Sequence, residues 1–184
     1  MQKNLSYEQK SGEHADQILT EVPGVTVKDF RPEDIEELRI LAKNNINPLT
    51  RAKLQTAGII DMAEEAAEGR QPLGARRMGI WLNDSIVGAI NVGQPLPNDS
   101  SEVSISYFID KDYYKKGIAS AAVRAIVDLK NSEGYDVVAE VNRANTPSVN
   151  LLKKIGFQFV RYDFREGEEI YKRTATGPEY AVSS

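Results

Sequence analysis

The stretch DYYKKGIASAAVRAIVDLK, residues 112–130, decides how the rest of the chain is read. After Gly117 the apolar residues Ile118, Ala122, Ile126 and Leu129 recur at near-helical spacing, with Ser120, Arg124 and Asp128 opposite them, so an amphipathic helix starts here. The first turn of such a helix leaves its N–H groups unpaired, and with the helix dipole they suit phosphate oxygens. Gly117 and Ala119 add almost no bulk in front of those amides. Lys115 and Lys116 oppose the dipole, a cost that a bound anion would offset. Two readings stay open at this point: a solvated basic corner, or a phosphate site. The segment contains neither the Walker pattern G-x-x-x-x-G-K-[ST] nor the dinucleotide pattern G-x-G-x-x-G.

Immediately upstream, EVSISYFI (102–109) alternates as a strand does. Val103, Ile105, Tyr107 and Ile109 share an apolar face, and Glu102, Ser104, Ser106 and Phe108 share a mostly polar one. That polar face either meets solvent or lines a reaction cleft. In the second case a carboxylate at Glu102 serves as general base, directly or through a water held by Ser104 or Ser106.

Working outward, GVTVKDF (24–30) reads as a strand and RPEDIEELRILAKN (31–44) as a helix, with Pro32 in its first turn and acids at its positive end. TRAKLQTAGIIDMAEEAAEG (50–69) reads as a second helix. RMGIWL and IVGAINVG read as a hairpin about the turn residues NDS (83–85), and QPLPNDSS (94–101) as a loop. Downstream come a strand YDVVAEV, a short helix around TPSVNLLKKI, and the closing strand pair FQFVRYDF and EEIYKRT. The element order β-α-α-β-β-β-α-β-α-β-β predicts an α+β (mixed α/β) domain with a largely antiparallel first half. Residues 1–20 carry few apolar groups and read as a polar tail, 21–176 as one domain, and 177–184 as a C-terminal tail.

Composition narrows the chemistry. The 184 residues suit one domain, and a formal charge of −4 argues against a nucleic-acid binder working by bulk electrostatics. Seven basic residues against four acidic ones between Tyr113 and Lys154 make a local +3, which leaves −7 for the remainder and points to a polyanionic small molecule at this unit. The chain has no cysteine, which excludes thiolate nucleophiles and cysteine zinc sites. Its single histidine, His14, lies in the polar N-terminal stretch, so neither a Ser-His-Asp triad nor a multi-histidine metal site is expected. The N-terminal stretch lacks an apolar signal core, and no window approaches the roughly 18 apolar residues of a membrane span. A soluble, cytoplasmic protein with no membrane or nucleic-acid partner is expected.

With AEVNRANTPSVNLLKKIGF (139–157) the pieces resemble the GNAT superfamily of acyl-CoA-dependent N-acetyltransferases, and within it the RimJ/RimL branch that acetylates protein N-terminal amines. The resemblance covers residues 24–173 in element order and is strongest from 102 to 157. It implies a central twisted, mostly antiparallel sheet of about six to seven strands flanked by about four helices. The family loop [QR]-x-x-G-x-[GA], whose amides bind the CoA pyrophosphate, falls on Tyr114, Lys115, Lys116, Gly117, Ile118 and Ala119, with Ser120 following. Tyr114 departs from the usual Gln or Arg. The second family pattern, V-x-x-x-N-x-x-S with K-x-G-F, is matched by Val141, Asn145, Ser148, Lys154, Gly156 and Phe157. There Asn145, Ser148 and Lys154 are expected at the cofactor, although Asn145 and Ser148 also make a helix start, Gly156 a helix end and Phe157 core. The resemblance implies acetyl-CoA as co-substrate, no metal, and an amine acceptor, either a protein N-terminus or a small amine, in a monomer or homodimer. The strands 102–109 and 135–141 would part at their ends to admit pantetheine, and an N–H near Phe108 or Ile109 would meet the oxyanion. Leu152 stands where many members carry a tyrosine acid, so the acid is unassigned. A small-molecule acetyltransferase and a non-catalytic CoA-binding domain remain alternatives.

Overall fold

The computed structural model describes residues 17–44, 76–96 and 99–175, with positions 61, 65, 68 and 70 between them. Among the described residues eight strands form one sheet: β1 (Gln17–Leu19), β2 (Val25–Asp29), β3 (Arg76–Leu82), β4 (Ser85–Leu96), β5 (Asp99–Ile109), β6 (Asp136–Asn142), β7 (Gln158–Asp163) and β8 (Glu168–Arg173). Their spatial order is β1-β2-β3-β4-β5-β6-β8-β7. The β5–β6 pairing is parallel and every other pairing antiparallel. The described helices are α1 (Ile35–Asn44), α2 (Ile118–Ser132) and α3 (Thr146–Lys154). The mixed class expected from the sequence is observed, with one strand more than the upper count.

That extra strand is β1, at the end of the stretch expected to be tail. It pairs antiparallel with β2, and three residues are too few for a period-2 signal to show. QPLPNDSS corrects an expectation: instead of an irregular loop it carries the β4–β5 hairpin, with Leu96 paired to Asp99. Pro95 suggested a break, and the ladder accommodates it by slipping register on both sides of it. The helix expected over 50–69 lies outside the described residues, apart from isolated helical positions at Asp61 and Glu65.

Alternation along the strands gives the sheet two buried faces. One carries Val27, Ile80, Ile90, Ile105 and Ala139 beneath Ile118, Ala122 and Ile126 of α2 and Val149 and Leu152 of α3. The other carries Trp81, Ile86 and Ala89 beneath Leu38 of α1. Burying one such aliphatic side chain contributes about 1.5–3 kcal/mol, so the helices are fixed chiefly by these faces.

Both site-bearing helices end in the same way. Beyond α2, Gly134 at φ +91° lets Tyr135 N–H reach Lys130 O and its own N–H reach Asn131 O. Beyond α3, Gly156 at φ +95° repeats the pattern with Leu152 and Lys153. Gly156 and the buried Phe157 thus have the structural roles that the sequence also allowed.

Candidate active site

The sheet delivers β5 directly into the loop that precedes α2. Asp110 caps a short 3₁₀ turn (Lys111–Tyr113) by accepting from Asp112 N–H at 3.0 Å. The backbone then turns twice through the left-handed region, at Lys115 (φ 61°) and at Gly117 (φ 80°). The first amide paired back into the helix is Ala121, which donates to Gly117 O at 2.9 Å. Between Lys115 and Ser120 no backbone N–H donates to another described residue. These amides lie at the positive end of a 15-residue helix, a position that suits phosphate.

Nothing lies within 4 Å of where a Gly117 Cβ would sit, so the space before the amides is open. Lys115, Lys116, Lys153 and Lys154 make no ion pair with a described residue, whereas Arg124, Lys130 and Arg143 pair with Glu21, Glu133 and Glu169. Part of the local positive charge is therefore already used, and the lysines before α2 are among those left. Tyr114, in the position where the sequence departs from pattern, is 58% exposed and extended.

The second feature is a gap in the sheet. The parallel ladder begins at Glu102↔Asp136 and stops at Ile105↔Ala139, although β5 continues to Ile109 and β6 to Asn142. Beyond that point β5 still pairs with β4, and β6 with β8. The direction of the freed groups follows from one bond. Asp110 N–H donates to Val87 O of β4 at 2.8 Å, so by alternation Phe108 and Ser106 also point their amides at β4, while Tyr107 and Ile109 point theirs at the gap. Of the two amides expected for the oxyanion, Ile109 faces the gap and Phe108 does not. Tyr107 is the second gap-facing amide, and the sequence did not single it out.

On the α1 side of the sheet, Glu102, Ser104 and Ser106 follow one another along β5 as expected. Ser106, the first residue past the end of the ladder, lies opposite Asn91 of β4, which in turn lies opposite Arg77 of β3. Asn91 Oδ1 is buried and has no hydrogen-bond partner among the described residues. This polar row of Arg77, Asn91 and Ser106 was not legible in the sequence, because its members are far apart along the chain. Glu102 sits at the other end of the ladder. Its carboxylate accepts from Lys172 Nζ of β8, and Asp136 lies 3.5 Å from the same ammonium. These carboxylates, Glu102 first, hold the Lys172 ammonium above its usual value against the opposing effect of burial.

On the opposite face, Asn145 caps α3, its Oδ1 accepting from Ser148 N–H at 3.4 Å. Ser148 therefore sits in the first turn of α3, beside the end of β6. Lys154 is exposed in the last turn, separated from Asn145 by the length of the helix. The structure brings Asn145 and Ser148 together and sets Lys154 apart from them. Leu152 is 1% exposed and packs in the core. A surface hollow lined by Gly156, Gln158, Val160, Lys172, Arg173 and Thr174 contains none of the expected site residues, and its Arg173 is already paired with Asp128 at 2.6 Å.

The edge of β5 that comes free where its parallel neighbour stops pairing thus runs on into the amides left without a partner before α2. The profile of the acetyltransferase (GNAT) domain matches residues 25–158, and the chain belongs to this family. A protein from Bacillus licheniformis described as the uncharacterized N-acetyltransferase p20 is 28% identical over 119 residues, which span 62% of this chain and 64% of that protein. Among solved structures, RimL, a ribosomal L7/L12 α-N-protein acetyltransferase in complex with coenzyme A, superposes with a TM-score of 0.67 at 14% identity, covering 86% of this chain and 97% of that one. Mycobacterium smegmatis RimJ in complex with a CoA disulfide gives a TM-score of 0.64 at 20% identity, covering 85% of each chain. At these identities the two structures share the fold. Among the described residues no helix is long and apolar enough to cross a membrane.

Proposed function

We propose that this chain transfers an acetyl group from acetyl-CoA to a primary amine. The observation that carries the reading is the continuity of the gap-facing edge of β5, at Tyr107 and Ile109, with the free amides from Lys115 to Ser120. Pantetheine lies along that edge and pairs with it like an added strand, while the pyrophosphate rests on the amides with Lys115 and Lys116 beside it. Asn145 and Ser148 flank the pantetheine from α3. The thioester then sits near the end of the ladder, and the acceptor approaches from the polar row of Ser104, Ser106 and Asn91.

The amine must be neutral to attack, whereas an α-amino group titrates near 8 and a lysine near 10.4. Glu102 serves as base through a water passed along Ser104 and Ser106; Lys172 bonds its Oε1, which leaves Oε2 for that water. Attack on the thioester carbonyl gives an oxyanion met by a gap-facing amide, Ile109 or Tyr107. With no cysteine to carry an acyl group, transfer is direct within a ternary complex. A protein N-terminus is the acceptor class favoured by the likeness to RimL, an α-N-protein acetyltransferase.

Calorimetry with acetyl-CoA, followed by an acceptor panel of peptides with free N-termini and small amines, tests this. Binding with acetylation of peptide α-amines is expected. Turnover confined to small amines would move the acceptor class, and tight binding without turnover on any amine would favour a non-catalytic CoA-binding domain.

A further inference from the structure

Tyr107 has a feature that the core reading of its strand does not explain. Its ring packs on the core beneath α2 and α3, yet its hydroxyl is buried and makes no hydrogen bond of ordinary geometry among the described residues. A buried polar group without a partner costs stability, so natural structures keep few of them. Tyr107 is also the first gap-facing residue past the end of the β5–β6 ladder. Ser148, in the first turn of α3, the helix that follows β6, acts on the phenol and opposes the rise that burial causes, without meeting it in hydrogen-bond geometry. The phenol and Ser148 thus share the α2–α3 face of the sheet, beside the point where the β5–β6 ladder ends and pantetheine is proposed to lie.

We propose that the Tyr107 hydroxyl, with Ser148 beside it, donates a hydrogen bond to the CoA sulfur and stabilises the thiolate as it leaves. This inference rests on the acetyl-CoA reading above and deepens it. In the step, the amine nitrogen bonds to the acetyl carbon, the C–S bond breaks, and its electron pair goes to sulfur. The proton that makes the product thiol is the one lost by the amine, delivered through water.

Tyr107 keeps its own proton. Burial pushes the phenol up to about 12, with Ser148 opposing the rise, while a thiol titrates near 8.5. A full proton transfer to the sulfur would therefore run uphill, and hydrogen bonding would not. Leu152, buried in the core, supplies no such donor, so the role falls to a neighbouring strand.

The chain has no cysteine, so the thiolate absorbance of bound CoA can be titrated with no competing thiol. In Tyr107→Phe the bound CoA thiol should titrate about one pH unit higher than in the wild type, because a donor to the charged form has been removed. Ser148→Ala should shift it the same way by less. Without CoA, Tyr107→Phe should melt at or above the wild-type temperature, since only an unpartnered hydroxyl is lost. Identical thiol titrations in two proteins that both bind CoA would overturn the assignment, as would a clear loss of stability in free Tyr107→Phe. Failure of the wild type to bind CoA would overturn the acetyl-CoA reading itself, and this assignment with it.

Discussion

Two glycines on one helix separate backbone strain from ligand binding. Gly117 precedes α2 at φ +80° and Gly134 follows it at φ +91°, and neither would place a Cβ within 4 Å of another atom. Substituting alanine at either site forces an L-residue into the left-handed region, at a cost of about 1–2 kcal/mol. For a chain of this size each kcal/mol lowers Tm by roughly 2–4 °C, so both variants should melt about 2–8 °C below the wild type. They should differ in ligand binding. The open space at Gly117 is where the pyrophosphate is proposed to rest, and a methyl group there displaces at least one charge-assisted bond. Such a bond contributes about 1.5–3 kcal/mol, equivalent to roughly ten- to a hundredfold in Kd. Calorimetry with CoA should therefore show Gly117→Ala weakened by that factor and Gly134→Ala unchanged. Equal affinities in the two variants would refute the assignment of the phosphates to this loop.

Lys172 gains its bond to Glu102 only while charged, and its ammonium is held above the ordinary 10.5. Its contribution is therefore full at lower pH and lost as the pH rises through the raised value. Thermal melts from pH 9 upward should fall more steeply for the wild type than for Lys172→Met, and parallel curves would contradict the pairing. Glu102→Gln should lower turnover at neutral pH more than it weakens CoA binding; unchanged turnover would sink Glu102 as the base. Leu152→Tyr should cost about 1–3 kcal/mol by overpacking and should not raise turnover. A faster enzyme would show that position 152 faces the sulfur after all.

The features legible in the sequence were those with a local period or cap. The alternation of 102–109, the helical spacing after Gly117, the Asn145 start and the Gly156 end all depend on residues within a turn or two of one another. What stayed hidden depends on strands that meet only in space. Lys172 reaches Glu102 from 70 residues away, and nothing in either segment announces the other. The choice between Phe108 and Ile109 required knowing which edge of β5 pairs with β4, because alternation gives two sets of amides without saying which set is free. Tyr107 belongs to an apolar series and reads as core; only the missing partner at its hydroxyl distinguishes it. Pro95 disguised a hairpin as a loop, since a proline weakens a strand signal even where the ladder can slip around it.

The most direct test is a crystal structure of the chain with acetyl-CoA. The pyrophosphate should lie within hydrogen-bond distance of amides between Lys115 and Ser120, and the pantetheine should run between β5 beyond Ile105 and β6 beyond Ala139, with the acetyl carbonyl at the amide of Tyr107 or Ile109. Acetyl-CoA bound elsewhere, with β5 and β6 unoccupied between those residues, would contradict the account.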